Sequence, residues 1–339
     1  MKLSELDYDL PPELIAQEPL ERRDQARLMV VNRKARTVEH SRFYKLARHL
    51  RDGDLLVLND TRVIPARLFV RKESGGRVEL LFIRPADSPV GAWIAMARVH
   101  RPLRDGTRMM LGDGTALVVA GHAAQGRPII EAEGGASIAE ILHREGLLAL
   151  PHYIRREVGP ADADHYQTVY AEREGAIAAP TAGLHFSDEL FRELAEAGIR
   201  VARVTLHIGP GTFAPLRAPQ VEAHSMEGEW FMIPEATRNA IAHARRVGGR
   251  IVAVGTSSVR TLESWAITDE PEGTTGLFIC PGFRFKIVDA MITNFHMPRT
   301  TVLAMVMAIA GRELVLDAYR EAVRRRYRFL SYGDAMLIL

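Results

Sequence analysis

A single cysteine in 339 residues, Cys280, leaves no partner for an intrachain disulfide and no thiolate cage for a metal. Long apolar runs are missing as well. The longest late stretch, Val302–Ala310, falls far short of a membrane span. The opening MKLSELDYDLPPEL lacks the apolar core of a secretory signal. These absences lead us to expect a soluble protein of the reducing cytoplasm. Charge of one sign is scarce: the net balance is +2, which excludes a chain that holds nucleic acid by bulk charge. Two glycine signatures are also lacking. No Lys follows Gly255 at P-loop spacing, and that turn has one glycine where a dinucleotide fingerprint has three. Internal repeats and low-complexity segments are absent.

What is present is a recurrent pattern. Five apolar runs end abruptly in Thr, Ser, Asn, His or Arg: Leu55–Arg62, Ala176–Phe186, Val201–Phe213, Ile251–Glu263 and Val288–His296. A continuous apolar run reads as a strand buried on both faces of a helix-covered sheet. Polar groups just past the carboxyl ends of such strands are where α/β proteins hold ligands. Five endings suggest one shared pocket, and hence an enzyme.

The texture changes along the chain. Residues 1–62 give a Pro-punctuated start, a hairpin-like pair RLMVVNRKARTVEH, a short helix near Phe43–Leu50 and the strand LLVLN. From Arg67 to Glu133, short alternating stretches separated by SGG, RDG and GDG point to a small antiparallel barrel or sandwich. SIAEILHREG reads as a helix with Ser137 as N-cap and Glu140 completing a capping box. Alternating strands and helices return from about Leu150; SDELFRELAEAG is a helix with an N-cap and a terminal glycine. The expected architecture is a layered α/β domain from residues 1–62 and 150–339, with an antiparallel β-barrel domain inserted at 63–149. Between Val63 and Ile130 there are ten Arg/Lys against five Asp/Glu, and the tail YREAVRRRYRF is Arg-rich. Either is a solvated face or a place for phosphates to dock.

The loops supply the candidate chemistry. GTSSVR follows a strand and opens a helix, so Thr256 and Ser257 either cap that helix or meet a ligand at its electropositive end. Arg260 and Glu263, one turn apart, are a surface pair or a clamp for opposite charges. Thr181 and His185 sit in PTAGLHF, His207 beside a Gly-Pro-Gly turn, and Asn294 and His296 in TNFH. With His224 these make four histidines on separate loops, but no HExxH or His-x-His spacing supports a metal; neutral imidazoles suit acid–base work better. In NDTRVIPARL, Asp60 and Arg62 either pair or divide roles, with Asn59, Asp60 and Thr61 in the pocket and Arg62 and Arg67 facing a phosphate.

Taken together, NDTRVIPARL, YQTVYA, GAIAAPTAGLHF, VTLHIGPGTF, VGTSSVRTLE, PGFRFKIVDAMITNFHMP and SYGDAMLI resemble, end to end, the S-adenosylmethionine:tRNA ribosyltransferase-isomerase family of queuosine biosynthesis. The resemblance implies a cytoplasmic, metal-independent enzyme. S-adenosylmethionine is then a consumed co-substrate, and the partner is a tRNA with a GUN anticodon. The ribosyl group passes to aminomethyl-deazaguanine at the wobble position, is rearranged to give epoxyqueuosine, and adenine and methionine leave. The chain departs from the family pattern at Met226–Trp230, where Glu227 replaces a usual His, at Pro210, at His152 and at His165.

For that reaction, Arg260 and the GTSS loop are expected at the methionine carboxylate and Glu263 at its ammonium. His185 and His207 are the candidates for proton transfer, and Asp60 for the proton of the incoming amine. Asn294 and His296 are expected to orient adenine or ribose. Phe186, Phe213 or Tyr332 would stack an extruded base. A non-catalytic RNA-binding protein would share the basic insert without needing polar strand ends. A metal-dependent hydrolase would use the histidines directly, and a methyltransferase would need a glycine-rich loop that is absent. A monomer is expected.

Overall fold

The computed structural model describes residues 1–213, 216 and 220–339 (of Thr212 and Phe213, the backbone only). Its larger part is built on a nine-stranded sheet. In order across the sheet the strands are Glu272–Thr275, Glu229–Met232, Arg200–Leu206, Leu55–Asn59, Ile251–Val254, Ala290–Asn294, Ala335–Ile338, Arg27–Asn32 and Thr37–Arg42. Four neighbours, from Arg200–Leu206 to Ala290–Asn294, run parallel. They are the apolar runs that the sequence singles out. Leu55 and Val57 pack on one face with Ile251, Ala253 and Met291. Leu56 and Leu58 pack on the other with Val252, Val254 and Ile292. Both faces are therefore buried, which is why the runs lack the alternation of a half-exposed strand.

The fifth run departs from expectation. Only its start is a strand: Arg173–Ala176 pairs in parallel with Thr61–Val63, outside the main sheet. Pro180, which has no N–H for a ladder, precedes a single 3₁₀ segment, Thr181–His185. The last strand, Ala335–Ile338, is too short to stand out in the sequence. It nevertheless fills the sheet between Ala290–Asn294 and Arg27–Asn32.

Between the two portions of this sheet lies a closed six-stranded antiparallel barrel. Its strands are Arg67–Lys72, Arg77–Pro85, Trp93–Arg98, Arg108–Met110, Ala116–His122 and Pro128–Ala132. Closure leaves no free edge. Leu68, Val78, Leu80, Phe82, Leu117 and Ile130 fill it, and Ile138, Ile141 and Leu142 of the helix Ile138–Glu145 join that core. Ser137 stands at this helix's N-cap position, but its side chain makes no capping hydrogen bond, so the expected capping box is not formed. Ser187, by contrast, accepts from the Leu190 N–H (3.2 Å) and caps the helix Asp188–Glu196 as expected.

The barrel helix meets the rest of the chain at Gly146. A Cβ there would lie 2.0 Å from the Pro65 carbonyl oxygen and 2.3 Å from that of Leu142, so no side chain fits. Gly146→Ala is accordingly expected to lower stability by about 1–3 kcal/mol, as overpacked sites do. Urea unfolding checks this; an unchanged midpoint would contradict the close approach.

Candidate active site

The carboxyl ends of the parallel strands converge on a cavity. Thr181, Thr256, Ser257, Thr293, Asn294 and His296 give it a polar floor. Met226, Phe278, Ile279, Met297 and Met305 give it apolar walls. Beside it, sharing Ile208, opens a cleft of about 930 Å³ between barrel and sheet. Arg84, Trp93 and Arg127 line the cleft from the barrel side, and Glu174, His207, Pro210 and Trp230 from the other.

Asn59 connects the two. Fully buried at the end of its strand, it donates from Nδ2 to Ser257 Oγ (3.0 Å) at the cavity and to the Leu206 carbonyl (3.0 Å). Its Oδ1 accepts from the Thr61 and Leu206 N–H groups (3.2 and 3.0 Å). Thr61 Oγ1 lies 2.8 Å from His207 Nδ1 at the cleft. The His207 ring stacks on Trp230 (4.9 Å between centroids), and its far edge faces Gly175, where an added Cβ would come 2.6 Å from Nε2. Desolvation, followed by the charge of Arg173, lowers the His207 pKa to about 4, so the imidazole is neutral at working pH.

Several expected roles do not survive the geometry. His185 is buried behind Asn294 and does not line the cavity; its Nε2 is 3.2 Å from Asn294 Nδ2. Burial lowers its pKa to about 4. It supports Asn294 from behind the cavity wall. Asp60 is likewise buried and points away from both spaces, accepting from Thr205 Oγ1 (2.6 Å), with its pKa raised chiefly by desolvation. Glu263 is fully buried, and its carboxylate accepts from the Lys286, Ile287 and Val288 N–H groups (2.8–2.9 Å). It shapes the loop before the strand Ala290–Asn294. Arg260 lines the cavity, but its guanidinium is committed to Glu229 and to the Leu277 and Thr275 carbonyls (3.1 and 3.0 Å). Glu229 in turn accepts from the Gly209 N–H (2.7 Å), so this buried pair braces the turn after His207.

The two arginines expected at a phosphate lie outside the cavity and the cleft. Arg62 is exposed and donates to the Ala171 carbonyl (2.9 Å), while Arg67 pairs with Glu79 (2.9 Å) within the barrel. Arg84 and Arg127 face the cleft instead. Phe186 is fully buried against Phe43 and Phe191, and the Tyr332 hydroxyl donates to Asp162 (2.8 Å). The Phe213 side chain lies outside the described residues. Among the described residues, Trp93 and Trp230 are the tryptophans that line the cleft, and no spacing rule points to them.

The departures have definite settings. Glu227 forms a two-point ion pair with Arg127 of the barrel, bridging the cleft (Nη2 to Oε2, 2.9 Å). Pro210 lines the same cleft, and exposed His152 stands at the cavity rim beside Tyr153. His165 lies apart, near Arg23 and Tyr332. Of the remaining histidines, His296 is 2.7 Å from Thr293 Oγ1 with its pKa pushed by burial to about 3, and His224 packs edge-on against Phe278 with its pKa lowered by burial.

An α/β sheet with a polar-floored cavity at its strand ends, opening beside an inserted barrel, defines an enzyme. The family of queuosine biosynthesis proteins matches residues 3–338, and this chain belongs to it. Relatives named S-adenosylmethionine:tRNA ribosyltransferase-isomerase include one from Rubrobacter xylanophilus, 51% identical over 100% of this chain and 98% of its own length. Another, from Geobacter metallireducens, is 49% identical over the full length of both. The crystal structure of an S-adenosylmethionine tRNA ribosyltransferase from Thermotoga maritima superposes with a TM-score of 0.57 at 39% identity, covering 99% of this chain and 100% of that one. Among the described residues, no helix is long and apolar enough to cross a membrane.

His185, His207 and His296 share one sign of pH dependence. Each folded pKa lies below the ordinary 6.5, so the unfolded chain binds more protons as pH falls through 6.5 toward 4. Stability is full above 6.5 and declines across that window. His185→Gln keeps an acceptor for Asn294 but takes no proton, so its urea midpoint is expected to fall less steeply between pH 6.5 and 4.5. An identical slope in variant and parent would contradict the assignment.

Proposed function

We propose that this chain transfers the ribosyl group of S-adenosylmethionine to aminomethyl-deazaguanine at the wobble position of a GUN-anticodon tRNA, for Tyr, His, Asp and Asn. The transferred group is isomerised to give epoxyqueuosine, with adenine and methionine released. The observation that carries this reading is the juxtaposition of two unlike spaces. A mostly apolar cavity with hydroxyl and amide groups at the strand ends suits a nucleoside, and a larger cleft lined by Arg84 and two tryptophans, with Arg127 paired to Glu227 across it, suits an extruded anticodon base. The family relationship supports it independently.

In this scheme His207 takes the proton from the carbon beside the sulfonium. Its neutral ring, held by Thr61 and Trp230, lines the cleft next to Ile208, the residue that cleft and cavity share. The aminomethyl nitrogen, delivered through the cleft as a neutral amine, bonds to the ribose carbon that held adenine and loses one proton; the bond to adenine breaks, adenine takes up a proton, and methionine leaves with the electron pair of its carbon–sulfur bond. Thr256, Ser257, Asn294 and His296 bound the donor's side of the reaction. Arg260 acts by bracing the Gly209 turn through Glu229. No metal enters the scheme. Residues 63–149 act as the inserted unit that closes on the tRNA, and the working form is a cytoplasmic monomer.

The test is release of adenine from S-adenosylmethionine, followed by chromatography with a chelator present. Release is expected with tRNA bearing aminomethyl-deazaguanine and none with tRNA bearing guanine. His207→Gln should slow it by on the order of 10²–10⁴, the usual contribution of a general base. Absence of release from the parent protein, with the modified tRNA bound, would overturn the reading.

A further inference from the structure

We infer that Thr181 is a hydrogen-bond acceptor of fixed polarity, through which the cavity reads the exocyclic amino group of an adenine ring. This rests on the donor proposed above and specifies which part of it the cavity recognises. The argument begins at an atom whose role cannot change, the Leu330 carbonyl oxygen. It lies 3.1 Å from one end of the buried Asn294 amide. A carbonyl only accepts, so that end of the amide is the NH₂ group. The same NH₂ faces His185 Nε2 at 3.2 Å, which makes Nε2 the acceptor and places the His185 proton on Nδ1. The backbone hydrogen bond to Arg23, which favours a proton on that ring, agrees.

The other end of the amide is then Oδ1, 3.0 Å from Thr181 Oγ1. Oδ1 accepts, so the Thr181 hydroxyl must donate to it. Its single proton is spent inward, and what Thr181 presents to the cavity is lone pairs. A deeply neutral histidine matters here, because a charged imidazolium would need Nε2 as a donor and would break the series. His185 is thus a positioning residue, two hydrogen bonds from Thr181 and three from the ligand.

An acceptor in this cavity calls for a ligand donor, and the walls restrict which one. Among the described lining residues there is no carboxylate, which a free ammonium group would need, and the Arg260 guanidinium is already committed. Met226, Phe278, Ile279, Met297 and Met305 instead suit a flat, apolar ring. An adenine ring combines such a body with one strong exocyclic donor. A site built this way rejects an isostere lacking the donor more sharply than an apolar slot does.

The experiment is equilibrium binding by calorimetry to the full chain. The ligands are S-adenosylmethionine, its analogue lacking the 6-amino group, and its analogue lacking the ribose hydroxyls. The parent protein is expected to prefer S-adenosylmethionine over the 6-deamino analogue by about tenfold or more, one net hydrogen bond. Thr181→Val should bind the two about equally, and Thr181→Ser should restore the preference. A purely structural role would weaken both ligands alike and leave their ratio untouched, which would overturn the inference. A preference lost in Thr181→Val for the ribose hydroxyls, and kept for the amine, would overturn it too. Failure of the underlying reaction is separable: the parent would then bind no S-adenosylmethionine and release no adenine with the modified tRNA.

Discussion

Much of the site hangs on one buried amide. Asn59 is the first polar residue after four buried apolar ones, and it sits where three elements end or begin. Its four hydrogen bonds join its own strand end, the neighbouring strand at Leu206 and the helix that starts at Gly255. A buried side chain that satisfies its capacity in this way fixes the groups around it, because any shift leaves a donor or acceptor unpaired. Ser257 on the cavity side and, through Thr61, His207 on the cleft side are held by the same residue. The two spaces are therefore linked by hydrogen bonds and by the shared wall at Ile208.

The second organising fact is desolvation. His185, His207 and His296 all lie in surroundings that disfavour the charged ring. A neutral imidazole is both a base and a fixed donor–acceptor, so burial serves two ends. At His207 it keeps the ring neutral beside Thr61. At His185 it holds a polarity that passes through Asn294 to Thr181. The buried ions behave differently. Arg260 with Glu229, and Glu263 with three backbone N–H groups, are satisfied within the protein and shape the loops that carry the reactive groups.

The architecture was largely legible in the chain, because apolar runs and Gly/Asp turns are local signals. The four parallel strands and the barrel follow from them. The fifth run misled because Pro180 ends any ladder there, and Ala335–Ile338 is too short to register. Site residues divided along a different line. Thr181, Thr256, Ser257, Asn294 and His296, all past strand ends, line one cavity. Position past a strand end says nothing about which way a charged side chain turns. Glu263 and Arg260 looked like a ligand clamp one helical turn apart, yet each finds partners far along the chain, at Lys286–Val288 and at Glu229. Nothing local in the chain marks Arg84, Arg127 and Trp230 as neighbours, because the cleft they line forms only when barrel and sheet meet.

The central claim is that cavity and cleft depend on Asn59 together. Asn59→Asp keeps the size and both acceptor bonds but removes the donors to Ser257 and Leu206. The decisive measurement is S-adenosylmethionine affinity and tRNA-dependent adenine release in that variant, with folding followed by near-ultraviolet circular dichroism. The account predicts that both fall together, each by tenfold or more, the scale of losing hydrogen bonds of about 1.4 kcal/mol. A folded variant in which one falls and the other keeps its parental value would contradict it.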